Sequence, residues 1–249
     1  MRIIEWNCRY GGFQKKKEEI LKCKPDILVV PECENTECLT FCDGTKLTST
    51  EWINDGCNKY GIGVFGFNGF RLKKLAGCDN VKFFGAFSVF REETELNLLV
   101  AWANNTGSGK KYHEIVEKAI DHYGQLLRQP KTLFIGDFNT PGNGNNLVNQ
   151  FFLGYPKSEN SYLKKHQDIV KALDGKGLKS VYHVKSGEKH GHETTATYFH
   201  NKCIVEPFHC DYCFASEDLR AILSSVQIGK FNNWKKHSDH MPLIVDFNL

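Results

Sequence analysis

No apolar run in this sequence approaches the length of about 18 residues that marks a membrane-spanning helix, so no transmembrane segment and no membrane partner are expected. The opening residues, Met1 to Asn7, hold no basic stretch followed by an apolar one. No secretory leader is therefore expected, and the reducing cytoplasm is the expected compartment. A charge excess is also missing: 32 Lys and Arg against 29 Asp and Glu leave a formal net charge of +3. That balance does not by itself point to a polyanionic partner, and any basic surface has to be local. Low-complexity linkers and short repeats are absent, and the chain reads as one domain over residues 1–249. A chain this long buries roughly 70–75% of its unfolded surface and needs no disulfide or metal in order to fold. A monomer without an obligate protein partner is the expectation.

Ten cysteines fall short of disulfide-scaffold density at this length. Cys33, Cys210 and Cys213 lie in or beside apolar strand patterns, where Cys acts as a small hydrophobe. Cys210 and Cys213 have the spacing of a zinc half-site, and Cys33, Cys38 and Cys42 form a looser group. A structural zinc needs four well-placed ligands and no second pair matches the first, so free thiols are expected.

What the chain does have is a series of short apolar runs bounded by turn residues. Ile3–Trp6, Ile27–Val30 and Thr132–Ile135 read as buried strands. Gly61–Phe67, Val81–Phe90 and Leu96–Trp102 read as further strands, with more expected near Ser180–Val184, Thr195–Phe199, Phe208–Ala215, Ser225–Ile228 and Leu243–Phe247. Phe13–Cys23 and Lys110–Arg128 carry apolar stripes at helical spacing, and Pro25 stops the first of them. Leu147–Leu153 and Ser161–Leu173 also read as helical, and Thr140–Asn146 as a loop. Strands outnumber helices and mix with them, which predicts an α/β domain with sheets inside and helices outside.

Three of the apolar strands run into a polar residue able to bind metal or phosphate: Asn7, Glu32 after Pro31, and Asp137 with Asn139 two residues on. A carboxylate at the end of a buried strand is rigidly held and can face a cleft, which suits a hard cation such as Mg2+. Asp211 lies in an aromatic-rich strand, and Ser238-Asp239-His240 precedes the last one. A lone strand-end acid is more often a turn former. The ordered set carries more weight than any member.

In that order, Trp6-Asn7, Pro25-Asp26 with Glu32, Gly136-Asp137-Phe138-Asn139, Asp211-Tyr212 and Ser238-Asp239-His240 resemble the endonuclease/exonuclease/phosphatase superfamily, over residues 2–247. The resemblance implies the DNase I-like fold: a four-layer α/β sandwich, two mixed β-sheets packed face to face and flanked by helices. It implies Glu32 as principal Mg2+ ligand with Asn7 beside it, Asp239 contributing through water, and Mn2+ able to substitute. It implies Asp137 as the group that orients or deprotonates the attacking water, Asn139 as its positioning partner, and His240 as a phosphate-facing acid, base or donor held by Asp211. Position 9 is an acidic or amide metal-site residue in many exonuclease III-type members. Here it is Arg9, which cannot bind Mg2+ but can bind phosphate through two parallel hydrogen bonds. A single functional Mg2+ near Glu32 is therefore expected.

Other substrate contacts are expected from Trp102 or Asn104, from His209, and from Lys235 and Lys236, with Trp102 and Trp234 as candidate stacking platforms for a base. His190-Gly191-His192-Glu193 resembles metal-ligand spacing, and a loop with a structural or substrate-contacting role is the preferred reading of it. The implied function is a Mg2+-dependent phosphodiesterase, a nuclease acting on DNA. The alternative is a phosphatase or phosphodiesterase for a small-molecule or lipid phosphate. A catalytically silent binding module disagrees with retention of Glu32, Asp137, Asn139, Asp211, Asp239 and His240 together.

Overall fold

The computed structural model describes residues 1–42, 44–76, 81–105, 111–140, 160–204 and 207–248. The helix expected over Leu147–Leu153 and most of the loop expected over Thr140–Asn146 lie outside the described residues. In chain order the first strands are β1 (Arg2–Glu5), β2 (Ile27–Cys33), β3 (Leu47–Ile53), β4 (Gly61–Phe67), β5 (Arg71–Lys74), β6 (Phe84–Arg91) and β7 (Thr94–Trp102). They are followed by β8 (Thr132–Asp137), β9 (Lys179–Ser180), β10 (Tyr198–Phe199), β11 (Pro207–Phe208), β12 (Asp211–Ala215), β13 (Leu223–Ile228) and β14 (Leu243–Phe247). The helices are α1 (Phe13–Leu21), α2 (Tyr112–His122), α3 (Asn160–Asp174), α4 (Val181–Ser186), α5 (Glu217–Ala221) and α6 (Phe231–Trp234).

Two six-stranded sheets, in the orders β13-β14-β1-β2-β4-β3 and β5-β6-β7-β8-β12-β9, form the two inner layers. Both are mixed. β1 runs parallel to β2 and antiparallel to β14, and β8 runs parallel to β7 and antiparallel to β12. Strand alternation decides what each residue buries against. Ile3, Ile27 and Val29 join Leu98, Val100, Leu133 and Ile135 in the core between the sheets, while Ile4, Leu28 and Val30 turn outward. The outward set packs under Phe13 and Ile20 of α1, and Leu99, Phe134 and Phe214 of the other sheet pack under Val116, Ile120, Ile169 and Leu173 of α2 and α3. These strands therefore need apolar residues at every position, which is why they read as unbroken runs. Each fully buried side chain of this size contributes roughly 1.5–3 kcal/mol relative to exposure.

The result is the four-layer sandwich expected, with differences of detail. Ser180–Val184 is not a strand: β9 stops at Ser180 and Val181–Ser186 is helical, ended by Gly187 at φ 75°. Valine and tyrosine favour strands only where a pleated surface receives them. The run expected at Thr195–Phe199 contracts to β10, and Phe208–Ala215 divides into β11 and β12. Two outer strands, β3 and β5, and the short helices α5 and α6 had no distinct apolar signal. Cys210 and Cys213 are buried free thiols, and the nine described cysteines form no disulfide among the described residues. Among the described residues no helix is long and apolar enough to cross a membrane.

Candidate active site

Glu32 lies on β2 where the pairing with β4 slips between Pro31 and Cys33, a β-bulge that gives Glu32 a φ of 58°. That left-handed conformation is costly for a glutamate, on the order of 1–3 kcal/mol, and it re-aims the side chain out of the strand. Opposite it, Arg9, Tyr10, Gly11 and Gly12 form an unbroken left-handed run with φ of 56°, 52°, 70° and 71°. Lys16 Nζ ties the run together by donating to the carbonyls of Cys8, Arg9 and Gly11. The turn delivers the Tyr10 N–H to Glu32 Oε2 at 2.6 Å.

Asp137 ends β8, in register with Asp211 on β12 and Trp102 on β7. Gly136 before it has φ 151°, and a Cβ there would sit 2.0 Å from the Ala101 carbonyl oxygen. Only glycine lets β7 come this close beside the acid. Asp137 Oδ1 accepts from the Asn139 backbone N–H at 3.0 Å, and Oδ2 accepts from Asn139 Nδ2 at 3.0 Å. Asn7 Nδ2 reaches both carboxylates, donating to Asp137 Oδ2 at 2.9 Å and Glu32 Oε1 at 3.1 Å. One amide thus joins acids from the two sheets. Burial and the nearby Asp211 charge push the Asp137 carboxyl up to about 8.

His240 Nδ1 lies 2.9 Å from Asp211 Oδ2 and 3.1 Å from Oδ1, both residues being buried. Burial opposes a charged ring here, but the Asp211 carboxylate and the neighbouring acids outweigh it and hold His240 well above its usual value. Nδ1 donates to Asp211, which leaves Nε2 as the nitrogen for a ligand. Ser238 Oγ fixes the turn by donating to the Asn7 carbonyl at 2.7 Å, and Trp6 Nε1 donates to the His240 carbonyl at 3.0 Å. Arg9 Nε lies 3.0 Å from Asp239 Oδ2, but its N–H is not aimed along that line, so the contact is a charge pairing rather than a directed hydrogen bond.

Glu32, Asp137, Asn139, Asp239, His240 and Arg9 line one open cavity of about 360 Å³, together with Trp102 and Asn104. Asn7 and Asp211 are fully buried behind it. No family model matches the sequence, and no curated protein matches it. Similar solved structures exist at low identity. A 3′ phosphatase from Neisseria, bound to a product DNA hairpin, is 16% identical with a TM-score of 0.68, covering 100% of each chain. An AP endonuclease from Archaeoglobus fulgidus is 13% identical with a TM-score of 0.68, again over 100% of each chain. The endonuclease domain of a telomere-specific non-LTR retrotransposon is 13% identical with a TM-score of 0.65, over 100% of this chain and 98% of that one. The chain shares the DNase I-like α/β sandwich fold of these structures.

Within this fold some expected contacts lie elsewhere. His209 is buried behind β12, its Nδ1 2.8 Å from the Thr195 carbonyl, and does not line the cavity. Lys235 and Lys236 follow α6 outside the cavity lining, with Lys235 Nζ 5.3 Å from the Phe231 ring. Trp234 is a core residue packed edge-on to Trp6 at 5.2 Å, not a platform for a base. Asn7 offers its NH2 to the acids, and its Oδ1 accepts from the Arg9 N–H at 2.9 Å, so that oxygen is already in use. Residues without a strand-end signal also enter the site. Tyr10, Tyr60, Tyr112 and Tyr198 line the cavity, and Tyr10 is exposed at its rim. Glu5, at the end of β1, is fully buried with neither carboxyl oxygen hydrogen-bonded among the described residues. Burial and the charges of Asp211 and Asp137 hold it well above the usual carboxylate range.

Proposed function

We propose that the chain is a Mg2+-dependent phosphodiesterase, a nuclease that hydrolyses DNA phosphodiester bonds. The observation that supports this reading is the meeting of Glu32, Asp137, Asn139, Asp239 and the Asp211–His240 pair at one cavity, from strand ends of both sheets. The donor set fits a hard divalent cation: Glu32 and Asp239 offer carboxylate oxygens at an open cavity, and no thiol or thioether lines it among the described residues. When bound, Mg2+ would polarise a phosphate oxygen and stabilise the departing oxyanion. Glu32 would hold it as principal ligand with Asp239 contributing through water, while Asn7 holds Glu32 and Asp137 in place.

Asp137, in its ionised form, orients a water against phosphorus and takes its proton. Its two hydrogen bonds from Asn139 fix which way the carboxylate faces. His240, protonated and held by Asp211, offers Nε2–H to a phosphate oxygen, the orienting arrangement that an Asp gives a His in hydrolytic triads. Arg9 adds a permanent positive charge at the cavity wall, where it favours phosphate and disfavours a second cation at short range. Tyr10 at the rim is an aromatic surface on which a base can stack.

Incubation with supercoiled plasmid, linear duplex, abasic duplex, single-stranded RNA and a panel of phosphomonoesters, with Mg2+ and with EDTA, tests the reading. Mg2+-dependent cleavage of DNA is expected, abolished by EDTA. Affinity for DNA should fall steeply with salt, and replacing Lys235 and Lys236 together by Ala should lower the log–log salt slope by about 1–2. Turnover of small phosphoesters alone, with a salt-insensitive DNA affinity, would move the assignment to a phosphatase. Hydrolysis of nothing in the panel would overturn it.

A further inference from the structure

Behind β12, on the face away from the cavity, three histidines and a glutamate converge from separate elements. His166 Nε2 on α3 lies 3.0 Å from His190 Nδ1 in the loop after α4. His183 Nε2 on α4 lies 3.1 Å from Glu193 Oε1 in the same loop. The donor atoms of His166, His190 and Glu193 all lie within 4.8 Å of one another. The His183 and His190 rings stack with centroids 3.5 Å apart. None of these four residues lines the cavity that holds Glu32 and Asp137.

We propose that His166 Nε2, His190 Nδ1 and the Glu193 carboxylate form a zinc site, with water in the fourth position and His183 orienting Glu193. The chemistry of the set carries this. Two borderline imidazole nitrogens beside one carboxylate make a donor set that Zn2+ takes, whereas the metal ligands proposed around Glu32 are oxygens alone. Tetrahedral zinc with bonds of 2.0–2.1 Å places neighbouring donors about 3.3 Å apart. The His166–His190 pair is already near that distance, and small side-chain rotations bring in Glu193.

The surrounding groups are arranged as the outer partners of a metal site are. His166 Nδ1 lies 3.3 Å from Thr140 Oγ1, which can accept its N–H and leave the Nε2 lone pair facing inward. His183 Nδ1 lies 2.8 Å from Ser180 Oγ. The Gly191 N–H donates to both oxygens of Glu193, each at 3.0 Å. With two ring nitrogens 3.0 Å apart, an empty cluster must place a proton between them, whereas a cation satisfies both lone pairs. His183 and His190 also border a second cavity of about 320 Å³ between α3 and α4, which gives an ion a path in.

Titration of the Mg2+-free protein with Co2+, read by visible absorption, is the direct test, followed by displacement with Zn2+. One equivalent with the strong bands of tetrahedral cobalt is expected. Those bands should be lost, with at least about 100-fold weaker binding, in His190→Ala and in Glu193→Gln, and should survive in Glu32→Ala and His192→Ala. Zinc should raise the Tm of the wild type by about 5 °C and leave that of His190→Ala unchanged. His190 is partly exposed, so its variant is expected to fold, and Glu193→Gln supplies a second reading if it does not. Absence of tetrahedral bands in the wild type would overturn the proposal, as would bands that persist in both cluster variants or vanish in Glu32→Ala.

Discussion

Asp211 and Tyr212 are neighbours in β12 that face opposite sides of one sheet, and the polar groups they meet differ in kind. Asp211 meets His240 and the acids of the cavity, gathered from strand ends of both sheets. Tyr212 meets the histidine cluster, gathered from α3, α4 and the loop after it, its ring stacked on His166 at 5.0 Å. The acidic side gathers acids that push Glu5 and Asp137 upward, sets His240 among them, and holds Arg9, Glu32 and Asn139 in left-handed backbone. On the histidine side the four side chains are satisfied by hydroxyls, the Gly191 N–H and one another, and none of them has a left-handed φ. Strain and unbalanced charge gather where a substrate is to be acted on. A site that only holds an ion or a fold does without them.

The largest expected effect tests the acidic side. Glu32→Ala should lower Mg2+-dependent DNA cleavage by at least about 10³-fold, because it removes the principal ligand, while thermal melting changes little. A near-normal rate at limiting Mg2+ would break the comparison at its first term.

Next in size is the pair. Asp211→Asn and His240→Ala should each cost about 10²–10⁴ in rate, and the double variant little more, if they act as one unit. Losses that multiply would make them independent. Asp211 raises His240, so the protonated ring persists to higher pH, and activity that needs it falls as pH rises through that raised value. Removing the Asp211 charge lowers the His240 value, so in Asp211→Asn the alkaline limb of the pH–rate profile should move to lower pH.

The smallest effect sharpens the other side. Tyr212 donates its hydroxyl to the His209 carbonyl at 2.7 Å, so Tyr212→Phe should cost about 1 kcal/mol of stability, measured by denaturant unfolding, and leave the cleavage rate unaltered. A large loss of rate would mean that the two faces of β12 are coupled.

Much of the acidic side was legible because an apolar run that stops at a single polar residue marks a strand end, as at Asn7, Glu32 and Asp137. The Asp211–His240 pairing followed from resemblance, and the 2.9 Å contact agrees with it. Periodicity assigns a residue to a face but does not say which distant segment covers that face. This is why His209 and Trp234 were expected at the cavity and lie behind it. It is also why the tyrosines of the lining, and Glu5, gave no signal. The histidine loop was visible as a spacing, His190 to Glu193, but its partners His166 and His183 come from helices that the spacing does not reach.

The strand that leads into Asn7 pairs with the strand that follows His240, and Ser238 reaches back across 231 positions to the Asn7 carbonyl. During vectorial synthesis Glu32 and Asp137 therefore emerge long before their histidine. A growing chain that has not yet reached β14 can close much of the second sheet, but it leaves β1 without one neighbour. Under the proposed function, the cavity is complete only when β14 has paired with β1.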